Sequence, residues 1–229
     1  MDDYYKRSQV EHCLWNVLRA ASAPFDVPRT FRFRIKKLLD IDRQLFSDPE
    51  KLGRNRPRLA FNDALAGGNG IDVPFSEFHV FMMGLALEMW NAGFKQTELV
   101  LLLQRIRREL ERKFKEICEE NGHVGAQFPT HSSRPLVKDE TGPNLKEDAS
   151  ARHYMIIDRI ELPEVLPRDR ASRSYFEPVF VRGAKEFAKE LGNRQHGQRS
   201  AFFIELAALV AEIRTILPHS VARRRGPAA

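Results

Sequence analysis

Apolar residues recur at helical spacing in four segments of the first half of the chain. Residues 8–22 place apolar side chains on one face after Ser8, which predicts a first helix. A second helix is predicted after Asp26 and Pro28, residue types that suit a helix start. Its apolar stripe consists of Phe31, Ile35, Leu38, Leu39 and Leu45, and its opposite face is basic. A third helix, after a possible cap at Ser76, is apolar on most faces, which is typical of a helix surrounded by others.

The stretch WNAGFKQTELVLLL, residues 90–103, interrupts this apolar sequence with a short corner. Gly93 can adopt the left-handed backbone conformation that ends a helix without a Cβ clash. We therefore expect the third helix to stop at residues 91–93 and a fourth, long helix to begin at Gln96 or Thr97.

Two later segments space their apolar residues alternately by four and three. This pattern is typical of a coiled-coil seam between the helices of a homodimer, but an amphipathic helix packed on its own domain has the same pattern. The sequence alone leaves both interpretations open. The seam residues are Leu99, Leu103, Ile106, Leu110 and Ile117 in the fourth helix, and Phe202, Leu206, Leu209 and Ile213 in a helix predicted over 198–217.

Glycine, proline and polar residues divide the rest of the chain. Residues 47–74 are predicted to form an extended loop or wing, with a short strand or turn at 59–61, and residues 121–150 a flexible linker. Two strands, near 154–161 and 179–182, and a helix at 184–191 follow. The predicted fold is mainly α: a winged-helix-like domain with a long helix at 1–120, a small α+β module at 151–218 for dimerisation or an effector, and a disordered basic tail at 219–229.

Basic residues are concentrated near the second helix. The whole chain of 229 residues has a formal net charge of +6, and residues 29–58 alone hold ten basic side chains against four acids. A basic helix followed by a basic loop is what a surface for duplex DNA requires, although a charged face can also be merely solvated. The ten residues are Arg29, Arg32, Arg34, Lys36, Lys37, Arg43, Lys51, Arg54, Arg56 and Arg58.

Two segments resemble a known family. The stretch VPRTFRF, residues 27–33, is similar to the opening of the recognition helix in DNA-binding regulators of the MerR type. The stretch FSEFHVFMMGLALEMWNAGFKQTELVLLLQRI is similar to the second helix pair of those proteins. The resemblance implies a winged-helix DNA-binding domain in which Thr30, Arg32 and Phe33 contact phosphates and the groove, with Arg34 and Lys36 beside them. The loop of residues 47–74 is longer than the wing of that family.

Catalytic and cofactor motifs are not recognisable in the sequence, so we expect neither an enzyme nor a bound cofactor or metal. The nearest candidate ligand set is Cys118 with His123 and His131, which lacks the second pair of a zinc site. Cys13 and Cys118 are expected to be buried or half-buried thiols of a reducing compartment. The N-terminal residues do not resemble a leader and no apolar run is long enough for a membrane span, so we expect a cytoplasmic protein with no membrane partner.

These observations lead to a hypothesis with one alternative. We expect a dimeric regulator of transcription that binds double-stranded DNA through the second helix and the loop containing Arg54, Arg56 and Arg58, with Arg29, Lys36 and Lys37 on the helix. The alternative is a protein-interaction adaptor that binds other proteins through the two apolar seams. An RNA-binding role has less support, because no stacking-platform motif is recognisable.

Overall fold

The computed structural model describes residues 4–19, 26–47, 58–63, 73–123, 152–158, 178–193 and 201–221. Within these ranges the protein is mainly α-helical with a three-stranded antiparallel sheet, so the predicted fold class is confirmed. The helices are α1 (Arg7–Leu18), α2 (Arg29–Ser47), α3 (Glu77–Asn91), α4 (Gln96–His123), α5 (Gly183–Gly192) and α6 (Leu206–Ile216). The strands are β1 (His153–Asp158), β2 (Val179–Arg182) and β3 (Ala201–Glu205).

The described residues form two compact units. The first contains the residues up to Glu116 together with those from Leu209 onward, and the second runs from Ile117 to Ala208. The second unit begins close to the predicted boundary at residue 120, but it does not contain all of the predicted C-terminal module of residues 151–218. The last helix of that module, α6, belongs to the first unit from Leu209 onward, and Leu209 and Ile213 are buried.

Helix α3 is the centre of the first unit, as its sequence predicted. Eleven of its fifteen residues are buried, because helices contact it from several sides. The Ser76 side chain accepts a hydrogen bond from the backbone of His79, which caps the helix start. On one side, the ring of Phe114 in α4 lies 5.6 Å from that of Phe78 and 5.4 Å from that of Phe81. Aromatic pairs at this spacing stabilise the contact between α3 and α4.

A close approach at Gly84 lets two terminal helices reach α3. A Cβ atom at this position would lie 3.2 Å from Leu14 in α1 and 3.4 Å from Ile213 in α6. The Cys13 thiol of α1 also lies 3.9 Å from the carbonyl oxygen of Ile213, and burial raises its pKa to about 12. Cys13 is thus a buried thiol and Cys118 a half-buried one, as expected.

The corner between α3 and α4 has the predicted conformation. Gly93 has a φ of 93°, in the left-handed region that favours glycine. The backbone N–H of Phe94 donates to the carbonyl of Met89, and the Phe94 side chain is buried at the corner. The apolar stretch of residues 90–103 is broken because α3 ends at Asn91 and α4 begins at Gln96.

The second unit contains the sheet, with strand order β2-β1-β3. Strands β1 and β2 and helix α5 agree with the sequence prediction, but the predicted helix over 198–217 is wrong in its first part. Residues 201–205, AFFIE, pair with β1 as strand β3, and the helix begins only at Leu206. Phe202 is consequently a strand residue. Its spacing from Leu206 and Leu209 imitated a helix because a strand and a helix follow each other here without a loop.

Candidate functional site

Helix α2 presents a wide basic face to solvent. Its apolar stripe, predicted from the sequence, is buried, and the side chains between the stripe positions point outward. At 1.5 Å per residue the helix is about 28 Å long. The exposed residues include Arg29, Thr30, Phe33, Arg34, Lys36, Lys37 and Arg43.

Few carboxylates neutralise this basic face. Within the described part of the chain, Arg29, Lys36 and Lys37 form no ion pair. Arg34 Nη1 donates to Asn91 Oδ1 at 2.8 Å and its guanidinium lies over the Trp90 ring, 5.4 Å from the centroid. Neither an amide nor an indole neutralises a guanidinium, so Arg34 remains a net positive charge.

Two arginines of α2 do face carboxylates. Arg32 is half-buried, and its Nε lies 3.8 Å from Glu11 Oε2 of α1. Arg43 Nη1 lies 3.8 Å from Asp40 Oδ1 on the same helix. Arg32 is therefore the member of the predicted DNA-binding set that the structure turns toward α1.

Phe33 is an aromatic residue on this basic face. It is 62% exposed, whereas the neighbouring apolar residues Phe31 and Ile35 are buried. Exposure of a large ring to water is unfavourable, by roughly 25 cal/mol for each Å² of apolar surface. Among cationic side chains, this ring is available for contact with an apolar part of a ligand.

The predicted basic loop is described only at its end. Arg54 and Arg56 lie outside the described residues. Arg58 is exposed, and it directly precedes a buried stretch, Leu59, Ala60, Phe61 and Asn62.

A buried polar cluster holds this stretch between α2 and α4. Asp42 of α2 accepts the backbone N–H groups of Ala60, at 2.9 Å, and Phe61, at 3.1 Å. Its Oδ1 also accepts from Gln104 Nε2 of α4 at 2.7 Å. Burial raises the pKa of Asp42, against the effect of these hydrogen bonds. We call Asp42, Gln104 and Arg107 the clamp.

Arg107 completes the clamp from the other side. Its Nη1 donates to the backbone carbonyls of Leu59 and of Asn62, the latter at 2.7 Å. Its Nη2 lies 2.6 Å from Asp63 Oδ1. The N–H groups at the centre of the stretch and the carbonyls at its ends are thus satisfied by a carboxylate and a guanidinium, which lets an irregular segment be buried.

His79 of α3 lies at the edge of the clamp. The backbone N–H of Ser76 donates to His79 Nδ1 at 3.1 Å, so the neutral ring carries its proton on Nε2. That nitrogen lies 3.4 Å from Asp63 Oδ1 and 3.1 Å from Arg107 Nη2. Burial lowers the pKa of His79 and Arg107 lowers it further, while Asp63 and Glu111 raise it. Burial raises the pKa of Asp63, but His79 and Arg107 lower it more, so that it lies below its ordinary value.

The pKa of His79 predicts a loss of stability in acid. At pH above 6.5, its ordinary pKa, the ring is neutral in both the folded and the unfolded chain. As the pH falls below 6.5 the unfolded chain binds the proton first, so the free energy of unfolding decreases by at most about 1.4 kcal/mol per pH unit. We expect His79→Gln to flatten the pH dependence of unfolding between pH 7 and 5, measured by urea denaturation.

Two features of this measurement isolate His79. Asp42 acts in the opposite direction, because a raised pKa makes the folded state bind its proton first, but Asp42 is present in both proteins being compared. The exposed His219, replaced by glutamine, is the matched control. Identical pH profiles of wild type and His79→Gln would show that His79 is not the group responsible.

Most of the predicted dimerisation residues are buried within the fold of the single chain. Eight of the nine are buried, and Phe202, the ninth, is half-buried in β3. The described chain itself covers these side chains, which favours the packing interpretation of the two seams over the coiled coil. The buried residues are Leu99, Leu103, Ile106, Leu110, Ile117, Leu206, Leu209 and Ile213.

Sequence reasoning did not identify the clamp. A signal was present, because Asp42 lies within the apolar stripe of α2, and Gln104 and Arg107 alternate with the seam residues of α4. Polar residues at buried helical positions require partners. Those partners are backbone groups from another part of the chain, and the sequence pattern does not show which ones.

Among the described residues, no three His, Cys, Asp or Glu side chains are grouped so that they could hold a metal ion. His131 and the side chain of His123, candidate ligands with Cys118, lie outside the description. None of the described helices combines the length and apolar character that a membrane crossing requires.

No protein-family model, curated protein or solved structure matches the chain.

Proposed function

We propose that the protein binds double-stranded DNA through the exposed face of α2 and thereby regulates transcription. The observation that carries this proposal is that Arg29, Lys36 and Lys37 lie on one face of a single helix and have no ion-pair partner among the described residues. An α-helix fits the major groove of B-DNA, and a groove reader needs cationic side chains at its edges for the two phosphate backbones.

The residues of α2 divide between two tasks. Lysine and arginine side chains contact phosphates, which supplies affinity without sequence information. Thr30 and Phe33 point outward on the same face, and a threonine hydroxyl or an aromatic ring can contact base edges or the methyl group of thymine. Arg34, oriented by Asn91 and Trp90, is available either for a phosphate or for guanine.

The adaptor alternative has less support than DNA binding. It depended on the two apolar seams, and their residues are buried against other parts of the same chain. A buried side chain does not bind a partner unless the fold opens. The face of α2, in contrast, is exposed as the DNA-binding hypothesis requires.

A salt titration tests the proposal. The affinity of the full-length protein for a mixed-sequence duplex, followed by fluorescence anisotropy, is expected to fall steeply with salt, because bound cations are released from each neutralised phosphate. Six exposed basic residues give a slope of log affinity against log salt as steep as about −5, at 0.9 per contact. They are Arg29, Arg34, Lys36, Lys37, Arg43 and Arg58.

Sequence preference is measured in the same system. Selection of tight binders from a random duplex library, or sequencing of DNA precipitated with the protein from cells, is expected to yield a narrow set of sites. A flat salt response on duplex DNA would defeat the proposal. A steep salt dependence of the affinity without any preferred sequence would mean that the protein binds DNA non-specifically.

A further inference from the structure

We propose that the clamp is a positioning device for DNA contact: Asp42 and Arg107 fix Arg58 beside α2, where its guanidinium adds a phosphate contact to those of the helix. This inference rests on the proposed function. Arg58 itself makes no hydrogen bond or ion pair within the described part of the chain.

The geometry fixes the backbone next to Arg58. The carboxylate of Asp42 holds the N–H of Ala60, and Arg107 holds the carbonyl of Leu59, the residue that follows Arg58. A chain spans at most about 3.6 Å per residue, so the Cα of Arg58 lies within roughly 7 Å of the Cα of Ala60. Arg58 is thereby tied, through the backbone of Leu59 and Ala60, to Asp42 in the second half of α2.

Charge at this end of α2 is otherwise weak. Arg43 follows Asp42 directly but lies 3.8 Å from the carboxylate of Asp40. Arg29, Lys36 and Lys37 occupy the first half of the helix. Arg58, which has no carboxylate partner among the described residues, adds a cation to this part of the molecule.

The composition of the clamp supports a positioning role over a purely stabilising one. A buried charge gains little stability over well-packed apolar residues, because desolvation offsets the attraction. Hydrogen bonds to a carboxylate and a guanidinium instead fix the positions of particular backbone atoms, because these bonds have a defined geometry. Four backbone groups between Leu59 and Asn62 are fixed in this way.

A double-mutant cycle tests the inference on the full-length protein. Asp42→Asn replaces an acceptor oxygen with a donor that faces a backbone N–H, so it releases the stretch while changing no volume. Arg58→Gln removes the phosphate contact. Each single change is expected to make the salt slope of duplex binding shallower by about 1, and the double change by no more than either alone.

The matched control is Asp40→Asn, on the exposed side of the same helix half. It changes the net charge as Asp42→Asn does but touches no clamp residue, so the salt slope is expected not to become shallower. Additive effects of Asp42→Asn and Arg58→Gln on the salt slope would overturn the inference. They would mean that Asp42→Asn still changes the slope when Arg58 is absent, and therefore acts by a route other than Arg58.

A second variant covers the case in which Asp42→Asn does not fold. Gln104→Met removes one of the three hydrogen bonds to Asp42 and keeps a similar volume. Gln104→Met is expected to make the salt slope of duplex binding shallower only in a protein that has Arg58. An equal change of slope in the wild type and in Arg58→Gln would count against the inference. If the wild-type protein itself shows no salt-dependent duplex binding, the proposed function falls together with the inference. If the wild type binds and the cycle is additive, the positioning role alone falls.

Discussion

Replacing Arg29, Lys36 and Lys37 together by glutamine is expected to make the salt slope of duplex binding shallower by about 2.7, three contacts at 0.9 each. The three side chains lie on the exposed face of α2 without an ion pair among the described residues, so their charge is available to phosphates. The loss arises because fewer counterions are released on binding. Anisotropy titrations between 50 and 200 mM salt measure it.

A second triple variant is the control for this prediction. Arg108, Arg112 and Lys115 are exposed basic residues of α4, in the same unit as α2. Their replacement by glutamine changes the net charge equally but leaves α2 intact, so the slope is expected to change far less. Equal effects of the two triple variants would show that general positive charge, rather than the face of α2, attracts the DNA.

Phe33→Ala separates the apolar contact from the charge. The ring carries no charge, so the salt slope is expected to remain as in the wild type. If Phe33 contacts a thymine methyl group, the variant loses discrimination between preferred and random duplexes by an amount on the order of 1–3 kcal/mol.

Arg107→Ala is expected to lower the free energy of unfolding by about 3–5 kcal/mol, the usual cost of removing one partner of a buried charged cluster. The substitution leaves the carbonyls of Leu59 and Asn62 without their donor in a buried setting. It also removes the nearest cation from Asp63. Urea denaturation of the full-length protein, followed by circular dichroism, measures the change.

The neighbouring Arg108 provides the control for this substitution. It is exposed on the same helix, so Arg108→Ala is expected to change the free energy of unfolding by no more than about 0.5 kcal/mol. A loss below about 1 kcal/mol for Arg107→Ala would mean that water replaces the lost hydrogen bonds and that the stretch from Leu59 to Asn62 does not need the guanidinium.

The sequence determined the local features of this protein. The apolar stripe of α2 predicted which side chains point inward, and therefore that Arg29, Phe33 and Lys37 point outward. Gly93 predicted the corner, and the apolar character of α3 predicted its central place. Strands β1 and β2 were recognisable as well. These features follow from the spacing of residues within one helix or strand, which the sequence contains directly.

Tertiary structure alone decided what each apolar or polar position contacts. The seam of α4 fits a partner chain or the same chain equally well, and only the packing places Leu103 and Leu110 in the protein's own core. Residues 201–205 have the spacing of a helix, and pairing with β1 makes them a strand. Asp42, Gln104 and Arg107 come from helices distant in sequence and meet around one buried stretch. Such contacts depend on which chain segments meet in space. The spacing of apolar residues along the sequence is the same whichever segment covers them.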